Sequence, residues 1–145
     1  MAEREDHEHL ADREAIEILL RGAFDAFNRG DMDALIGKLD PEIDVSVAPG
    51  LANAGVWHGI DGFMQMVESW SEPFDSLRNE ILSLEFVDSE HVIADMRQRA
   101  VGAGSGVPVE MEIVYLFGVR DLRLTRFHVC ADRAAALAAI HGSRE

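Results

Sequence analysis

The chain has 145 residues, of which 48% are hydrophobic, and its 27 acidic residues outnumber the 13 Lys and Arg to give a formal net charge of -14. This length is typical of one domain with a single core, and no apolar run approaches the roughly 18 residues that a membrane-spanning helix needs. The negative charge would repel nucleic-acid phosphates and anionic membrane surfaces, so neither is predicted as a partner.

The first residues and the cysteine content indicate the compartment. Residues 1–11 are polar and acidic, lack the basic and apolar parts of an export signal, and are expected to form a flexible acidic leader within a single domain, 1–145. Cys130 is the single cysteine, which leaves no partner for an internal disulfide and no thiolate cluster for a metal. His7 and His9 alternate with acidic residues and are interpreted as solvated. We therefore expect a cytoplasmic protein without a metal or a cofactor.

Three helices are predicted in the first half of the chain. The first carries apolar residues three and four positions apart, the pattern of an amphipathic helix. Gly30 can end this helix in a left-handed conformation, and Asp31 can cap a short second helix that Pro41 stops. The third helix follows Gly59. The three apolar stripes are Ile16, Leu19, Leu20, Ala23, Phe24 and Phe27; Leu35, Ile36 and Leu39; and Ile60, Phe63, Val67, Trp70 and Phe74.

Extended structure accounts for most of the remaining sequence. A brief extended segment at residues 44–48 precedes a glycine-containing loop at residues 49–55, which we place at the mouth of a pocket. Alternating apolar residues predict four antiparallel strands, and Asp132 can cap a last helix. Such an order predicts an α+β fold: a curved antiparallel sheet forms a cone around a small pocket, wrapped by three helices from the first half and a short C-terminal helix. The strands are residues 77–87, 91–101, 107–119 and 122–131, and the last helix is residues 134–140.

The turn between the last two strands departs from the usual choice of residues. Two-residue hairpin turns favour glycine where the backbone needs a positive φ. This chain has Asp121 and Leu122 in the turn. We expect either a different turn with a shifted last strand, or a strained Leu122.

Four short segments follow one another in a familiar order: residues 26–35 (AFNRGDMDAL), 57–63 (WHGIDGF), 105–109 (SGVPV) and 126–137 (RFHVCADRAAAL). They resemble SnoaL-like members of the nuclear transport factor 2-like superfamily, which includes polyketide cyclases and ketosteroid isomerases. The resemblance covers residues 16–140 and implies the same α+β cone. Because the superfamily contains isomerases, cyclases, epoxide hydrolases, dehydratases and binding modules, function must be argued from the site.

The resemblance also implies where catalytic groups would lie. The general-base aspartate of the isomerase branch falls on Val47, its oxyanion tyrosine falls near Ala23 or Phe24, and its protonated aspartate falls near Tyr115. The aspartate that cyclases and limonene epoxide hydrolases carry on the last strand falls on or near Val129. The acid-base positions of these branches are therefore expected to be replaced in this chain, most of them by apolar residues.

The register of the last strand decides whether that expectation is right. One face of the strand carries Thr125, Phe127, Val129 and Ala131, and we expect this apolar face to look into the pocket. A slip by one residue would turn the other set inward and supply titrating groups. That set is Arg126, His128 and Cys130.

The predicted pocket has walls of aromatic and apolar side chains. Tyr115 can donate a hydrogen bond either to a ligand or to a backbone oxygen. Gln98 interrupts an apolar strand face and needs a ligand or a structural partner. His58, at a loop-to-helix junction, and His128 are weak catalytic candidates together with Tyr115. The predicted pocket residues are Phe24, Phe27, Trp57, Phe63, Trp70, Met96, Gln98, Tyr115, Phe127 and Val129.

The opposite sheet face is expected to carry ion pairs or a dimer surface. Glu110 and Glu112 alternate with apolar residues, and Arg126 and His128 would lie opposite them on the next strand. Outward apolar residues would leave a patch in water, which pairing of two copies would cover, so we expect a homodimer. This patch is Val114, Leu116 and Leu124.

Three functional hypotheses follow from these residues. The first is a domain that binds a small hydrophobic molecule in an apolar, aromatic-walled pocket. The second is a cofactor-independent enzyme of the cyclase or isomerase type, acting on a polyketide-like or steroid-like substrate, with Tyr115 as hydrogen-bond donor and His58 or His128 as proton carrier. The third is a protein-interaction module that uses the outer sheet face. A His, Asp or Glu side chain that opens into the cavity would favour the enzyme.

Overall fold

The computed structural model describes residues 2–51 and 54–142, with side chains for residues 12–51 and 54–141. Within these residues the chain forms four helices and six strands. The helices are α1 (Ala2–Arg29), α2 (Met32–Ile36), α3 (Gly59–Ser71) and α4 (Arg133–Gly142). The strands are β1 (Leu39–Val47), β2 (Gly55–His58), β3 (Phe74–Phe86), β4 (His91–Gly102), β5 (Pro108–Arg120) and β6 (Arg123–Cys130).

The strands form one mixed sheet in the order β2-β1-β6-β5-β4-β3. β1 runs parallel to β6, and the other neighbouring strands are antiparallel. Register shifts interrupt β1, β3 and the β5–β6 pair, and such bulges bend a sheet. Residues of α1, α2 and α3 pack on one face, whereas α4 packs on the other. The predicted α+β fold is confirmed.

The junction between α1 and α2 is built as the sequence predicts. Gly30 has a φ of 75°, a left-handed conformation that glycine adopts without steric cost. The Ala34 N–H donates a hydrogen bond of 3.2 Å to the carboxylate of Asp31, which caps α2. The expected flexible leader, residues 1–11, lies outside the residues whose side chains are described and stays a prediction. No helix within the described residues is long and apolar enough to cross a membrane.

Three predictions about element boundaries are wrong. Leu39 opens β1 instead of ending α2, because it pairs with Leu124 of β6. Phe74 opens β3 instead of extending the stripe of α3, which ends at Ser71. Strand β2 was missed because its four residues are short and partly exposed, and pairing with β1 is what makes them a strand. Tertiary pairing outweighed local pattern in each case.

The turn between β5 and β6 confirms the second of the two expected alternatives. Asp121 and Leu122 have φ of 52° and 56°, so both adopt the left-handed conformation of a two-residue hairpin turn, and Leu122 is strained. The register of β6 shifts at a bulge and not in the turn: Val119 pairs with Leu124, but Gly118 pairs with Arg126, so Thr125 is the extra residue. A Cβ on Gly118 would lie 2.7 Å from the hydroxyl of Thr125, so this close approach requires glycine.

The bulge changes which residues of β6 face the helices. Thr125, which was predicted to point inward, instead lines a polar cleft on the opposite face together with Arg126. Leu124, which was predicted to point outward, lines the internal cavity. The extra residue of a bulge reverses the alternation of side chains on one side of it. Phe127 and Val129, beyond the bulge, keep the predicted inward direction.

The expected apolar patch on the outer face is also wrong, because α4 covers it. Leu116 is fully buried against Ala136 and Ile140 of this helix, and Val114 packs on the same cluster. Asp132 holds the start of α4, since the Ala135 N–H donates a 2.8 Å hydrogen bond to its carboxylate. Val114 and Leu116 therefore leave no apolar patch for a second copy to cover, and the homodimer stays a prediction.

Candidate functional site

An internal cavity lies between the inner face of the sheet and the helices α1 and α3. Its volume is about 60 Å³, and its walls are almost wholly apolar. Eight of the ten predicted pocket residues line it: Phe24, Phe27, Phe63, Trp70, Gln98, Tyr115, Phe127 and Val129. Of the other two, Met96 is fully buried in the core, and Trp57 is half-buried on the edge strand β2, where its ring packs over Gly55. As ligand contacts, all ten stay a prediction.

Aromatic rings occupy most of the space in the middle of this site. Tyr115 and Phe127 meet edge to face with ring centres 4.9 Å apart, and Phe117 stacks on Phe127 at 5.5 Å. Phe24 stacks on Tyr115 at 6.0 Å, and Phe63 lies 6.0 Å from Phe127. An apolar cavity of about 150 Å³ is needed to hold benzene. The cavity in this conformation is therefore smaller than one aromatic ring.

A buried hydrogen-bonded group forms the polar part of the cavity wall. Gln98 is 1% exposed, and its carbonyl oxygen accepts a 2.9 Å hydrogen bond from the indole N–H of Trp70. Its amide nitrogen donates a 2.9 Å hydrogen bond to the side chain of Asn79, and a further hydrogen bond joins it to the hydroxyl of Tyr115. Gln98 thus has structural partners, which was one of its two predicted roles. We call Trp70, Asn79, Gln98 and Tyr115 the amide cluster.

Sequence reasoning missed Asn79 and Asn28. Asn79 is 7% exposed and sits directly opposite Gln98 in the β3–β4 pair. The signal for it was a polar residue at an inward position of β3, between Leu77 and Ile81. Asn28 was interpreted only as part of a helix junction. Its side chain bonds to the backbone of Asn79 twice, accepting from the N–H and donating to the carbonyl at 2.9 Å each.

Tyr115 is a neutral hydrogen-bonding group and not an acid at physiological pH. It is 4% exposed. Burial raises the pKa of its phenol far above the ordinary value of 10.0, and the hydrogen bond with Gln98 only partly opposes this shift. A phenol in this state can donate or accept a hydrogen bond, but it does not carry a negative charge.

The two candidate histidines lie outside the cavity. His58 is exposed on the surface, where its Nδ1 lies 3.1 Å from the carboxylate of Asp44 on the neighbouring strand. His128 points to the sheet face opposite Val129. Burial, followed by repulsion from Arg126, lowers its pKa from 6.5 to about 4, so it is neutral near pH 7. His58 belongs to β2, and on β6 the register that places Phe127 and Val129 inward turns His128 to the other face.

The charged outer face pairs differently from the prediction. Arg97, on β4, lies 2.9 Å from Glu110 and 3.7 Å from Glu80, so it bridges the strands on either side of it. The 2.9 Å contact is an ion pair without the alignment of a hydrogen bond, since the same Nε has no hydrogen-bond acceptor. The expected partners Arg126 and His128 lie instead opposite Gly118 and Leu116. Glu110 and Glu112 have arginines of β4 as cross-strand neighbours.

The described part of the cavity wall consists of apolar and neutral polar side chains. Among the described residues, no His, Asp or Glu lines the cavity. Val47, Ala23 and Val129, on or near which the resemblance implied catalytic groups, are buried apolar residues. No group of His, Cys, Asp and Glu within the described side chains can hold a metal ion. His7 and His9 lie outside that part of the chain. The residues described in the cavity wall can therefore bury an apolar group and offer hydrogen bonds.

A second His–Asp pair, besides His58 and Asp44, lies on the opposite side of the sheet. His91 Nδ1 lies 2.9 Å and 3.0 Å from the two carboxylate oxygens of Asp88, and its Nε2 lies 3.4 Å from Arg126. Asp88 also accepts the Glu90 N–H at 2.8 Å, which closes the turn between β3 and β4. These contacts describe a hydrogen-bonded turn in a polar cleft that has no residue in common with the cavity.

Comparison with known proteins adds the evolutionary context. Residues 20–127 match the family described as a SnoaL-like domain. None of the curated proteins matches the chain significantly. TerC, crystallised with polyporic acid, is 14% identical over 88% of this chain and 96% of its own, with a TM-score of 0.72.

Two further solved structures have the same architecture. An NTF2-like protein of unknown function from Burkholderia pseudomallei is 16% identical, with 88% of this chain and 95% of that chain covered and a TM-score of 0.72. A proposed polyketide cyclase from Xanthomonas campestris is 21% identical, with 88% and 97% covered and a TM-score of 0.65. At these identities the likeness establishes the fold.

Proposed function

This chain belongs to the SnoaL-like domain family, and we propose that it binds a small, mainly apolar molecule between the inner sheet face and the helices α1 and α3. One observation carries the proposal. The cavity there has aromatic walls and, among the described residues, no titrating group near neutral pH, but it contains the buried amide cluster. Apolar burial supplies affinity in such a site, and the few polar groups orient the ligand.

The size of the hydrophobic contribution indicates a ligand larger than one ring. A phenyl-sized group buries roughly 150–250 Å², which at about 25 cal/mol per Å² is worth about 4–6 kcal/mol before the cost of association. That cost is of similar size, so a single ring would bind more weakly than about 1 mM. The co-crystal of TerC with polyporic acid supports an organic small molecule as the first class to test.

An enzyme of the cyclase or isomerase type is the second candidate. It would use Tyr115 as a neutral hydrogen-bond donor, which its buried position permits. It also needs a proton carrier, and both His58 and His128 lie outside the cavity. A protein-interaction module that uses the outer sheet face is the third candidate, supported by the ion pairs around Arg97. The cavity favours binding over both.

A fluorescence titration with N-phenyl-1-naphthylamine, a neutral aromatic probe, tests the proposal. We expect saturable binding of one probe per chain, with a dissociation constant that changes less than about twofold between pH 6 and 8, because no histidine lines the described part of the cavity. Ala23→Leu fills the cavity and should weaken binding about tenfold or more.

The matched control is Ala138→Leu, which adds the same side chain to an exposed position of α4. It should bind the probe as the unmodified chain does. Equal binding by both variants would place the probe elsewhere on the surface. A tenfold change across the pH range with a single apparent pKa would mean that a histidine faces the ligand, and the enzyme would then replace our proposal.

A further inference from the structure

A second apolar hollow adjoins the cavity. This groove has a volume of about 280 Å³. Its floor is the inner side of β5, and its rim includes the loop that the sequence placed at the pocket mouth. Its lining is mostly apolar but includes one carboxylate: Leu51, Trp70, Pro73, Phe74, Met111, Glu112, Ile113, Val129, Cys130 and Ala131. Because Trp70 and Val129 line both the groove and the cavity, the two spaces share one wall.

Trp70 is the half-buried part of that wall. It lies in the last turn of α3, one residue before the helix ends, and its side chain is half-buried. A 2.9 Å hydrogen bond from its indole N–H to the carbonyl oxygen of Gln98 holds the ring between the two spaces. Val129, by contrast, is buried within a central strand of the sheet.

Neither space offers both the room and the polar groups that an aromatic ligand of the proposed kind needs. The cavity, at about 60 Å³, is smaller than the roughly 150 Å³ that benzene needs. Of the amide cluster, the groove contacts Trp70 and does not contact Asn79, Gln98 or Tyr115. Joined, the two spaces reach the lower end of natural ligand pockets, which span roughly 300–1,000 Å³.

We propose that the cavity and the groove are two halves of one site for an elongated aromatic alcohol, a phenol or an enol, and that the indole of Trp70 turns aside when this ligand enters. The inference rests on the proposed function and names its ligand class. When the indole leaves, the carbonyl oxygen of Gln98 loses a donor in a buried place, which is unfavourable. A ligand hydroxyl restores a donor there, whereas an ether or a hydrocarbon does not.

Matched ligands test the chemistry. 4-Phenylphenol has the required length and hydroxyl, 4-methylbiphenyl has the same shape without the donor, and phenol has the donor without the length. Competition against N-phenyl-1-naphthylamine should rank 4-phenylphenol about tenfold tighter than 4-methylbiphenyl. Phenol should bind at least tenfold more weakly than 4-phenylphenol. Equal binding of the first two compounds would overturn the hydroxyl requirement.

Matched variants test the groove. Met111→Glu puts a charge on the groove floor and should weaken 4-phenylphenol about tenfold. Val107→Glu adds the same charge at an exposed position outside the groove and should change binding less than about twofold. Trp70→Phe removes the N–H that the ligand must displace, so it should bind 4-phenylphenol about fivefold more tightly. No response to Met111→Glu, or weaker binding by Trp70→Phe, would overturn the inference.

A direct readout of Trp70 completes the experiment. The chain has two indole N–H groups, and the Trp57→Phe variant leaves that of Trp70 as the single indole signal in a proton–nitrogen NMR spectrum. Addition of 4-phenylphenol should move this signal as the bond to Gln98 breaks, and an unmoved signal at saturation would refute the displacement. If a probe binds and Ala23→Leu abolishes binding while these three results fail, the proposed function stands without the inference. If nothing binds, both are wrong.

Discussion

Replacing Gln98 with leucine should be one of the most destabilising single changes in this chain. Three buried groups depend on its amide: the indole N–H of Trp70, the side-chain carbonyl of Asn79 and the hydroxyl of Tyr115. Leucine is of similar size, so the change leaves little empty space but removes every partner at once. Each buried polar group left without a partner costs about 1–3 kcal/mol, and we expect a total loss of about 3–6 kcal/mol.

That loss is a large part of the about 5–15 kcal/mol that stabilises a domain. Urea denaturation followed by circular dichroism measures it as a lower midpoint with an unchanged slope. The double variant Gln98→Leu with Asn79→Leu supplies the internal control. It removes both members of one pair, so its loss should be smaller than the sum of the two single losses by about 1–2 kcal/mol.

Two results would refute this reasoning. A loss below about 1 kcal/mol for Gln98→Leu would mean that the amide cluster is not hydrogen-bonded as described. Strict additivity in the double variant would mean that Gln98 and Asn79 do not interact.

Four further predictions follow from other parts of the fold. Trp70→Ala should lower the free energy of unfolding by about 2–4 kcal/mol, because a half-buried indole and its hydrogen bond are lost. An unchanged melting temperature would mean that Trp70 does not pack in the cavity wall. Leu122→Gly should raise stability by about 1 kcal/mol, because glycine relieves the positive φ and the leucine is 54% exposed; a lower melting temperature would mean that the side chain packs. The pKa of His128 is lowered from 6.5 to about 4, so between these pH values the unfolded chain binds a proton that the folded chain does not, and stability should fall as the pH drops from 6.5 to 4. In a pH series of urea denaturation midpoints, His128→Asn should show a smaller fall over this range. An equal slope in both proteins would disprove the role of the imidazole. Light scattering should give twice the 16.0 kDa of one chain at physiological salt, because arginine and glutamate side chains on the outer face around Arg97 can pair with those of a second copy. A monomer at micromolar concentration would refute the dimer.

Strong periodic patterns in the sequence were sufficient for most of the fold. The stripe of α1 and the alternation in β3 to β6 predicted the right elements because each pattern extends over several turns or residue pairs. Strand β2 has only four residues, and Leu39 belongs to a strand through its pairing with Leu124. Such pairings join positions far apart in the chain, and the pattern of neighbouring residues does not predict them.

In the site, too, local patterns predicted some features, and contacts between distant residues determined the others. The alternation along β6 placed Phe127 and Val129 in the wall, and the polar interruption at Gln98 marked the amide cluster. The bulge at Thr125 could not be predicted, because it depends on a close approach to Gly118 from the neighbouring strand. The volume of the cavity depends on how five aromatic rings pack together, which no one-dimensional pattern determines.

The bonds between Asn28 and the backbone of Asn79 have a consequence for the edge of the sheet. β3 is the last strand in the order, so its outer side presents backbone groups with no neighbouring strand. The amide of Asn28 accepts from the N–H of Asn79 and donates to its carbonyl, and in this way it imitates one residue of a seventh strand. An edge blocked in the middle cannot pair evenly with a foreign strand, which protects the monomeric fold against strand-to-strand aggregation.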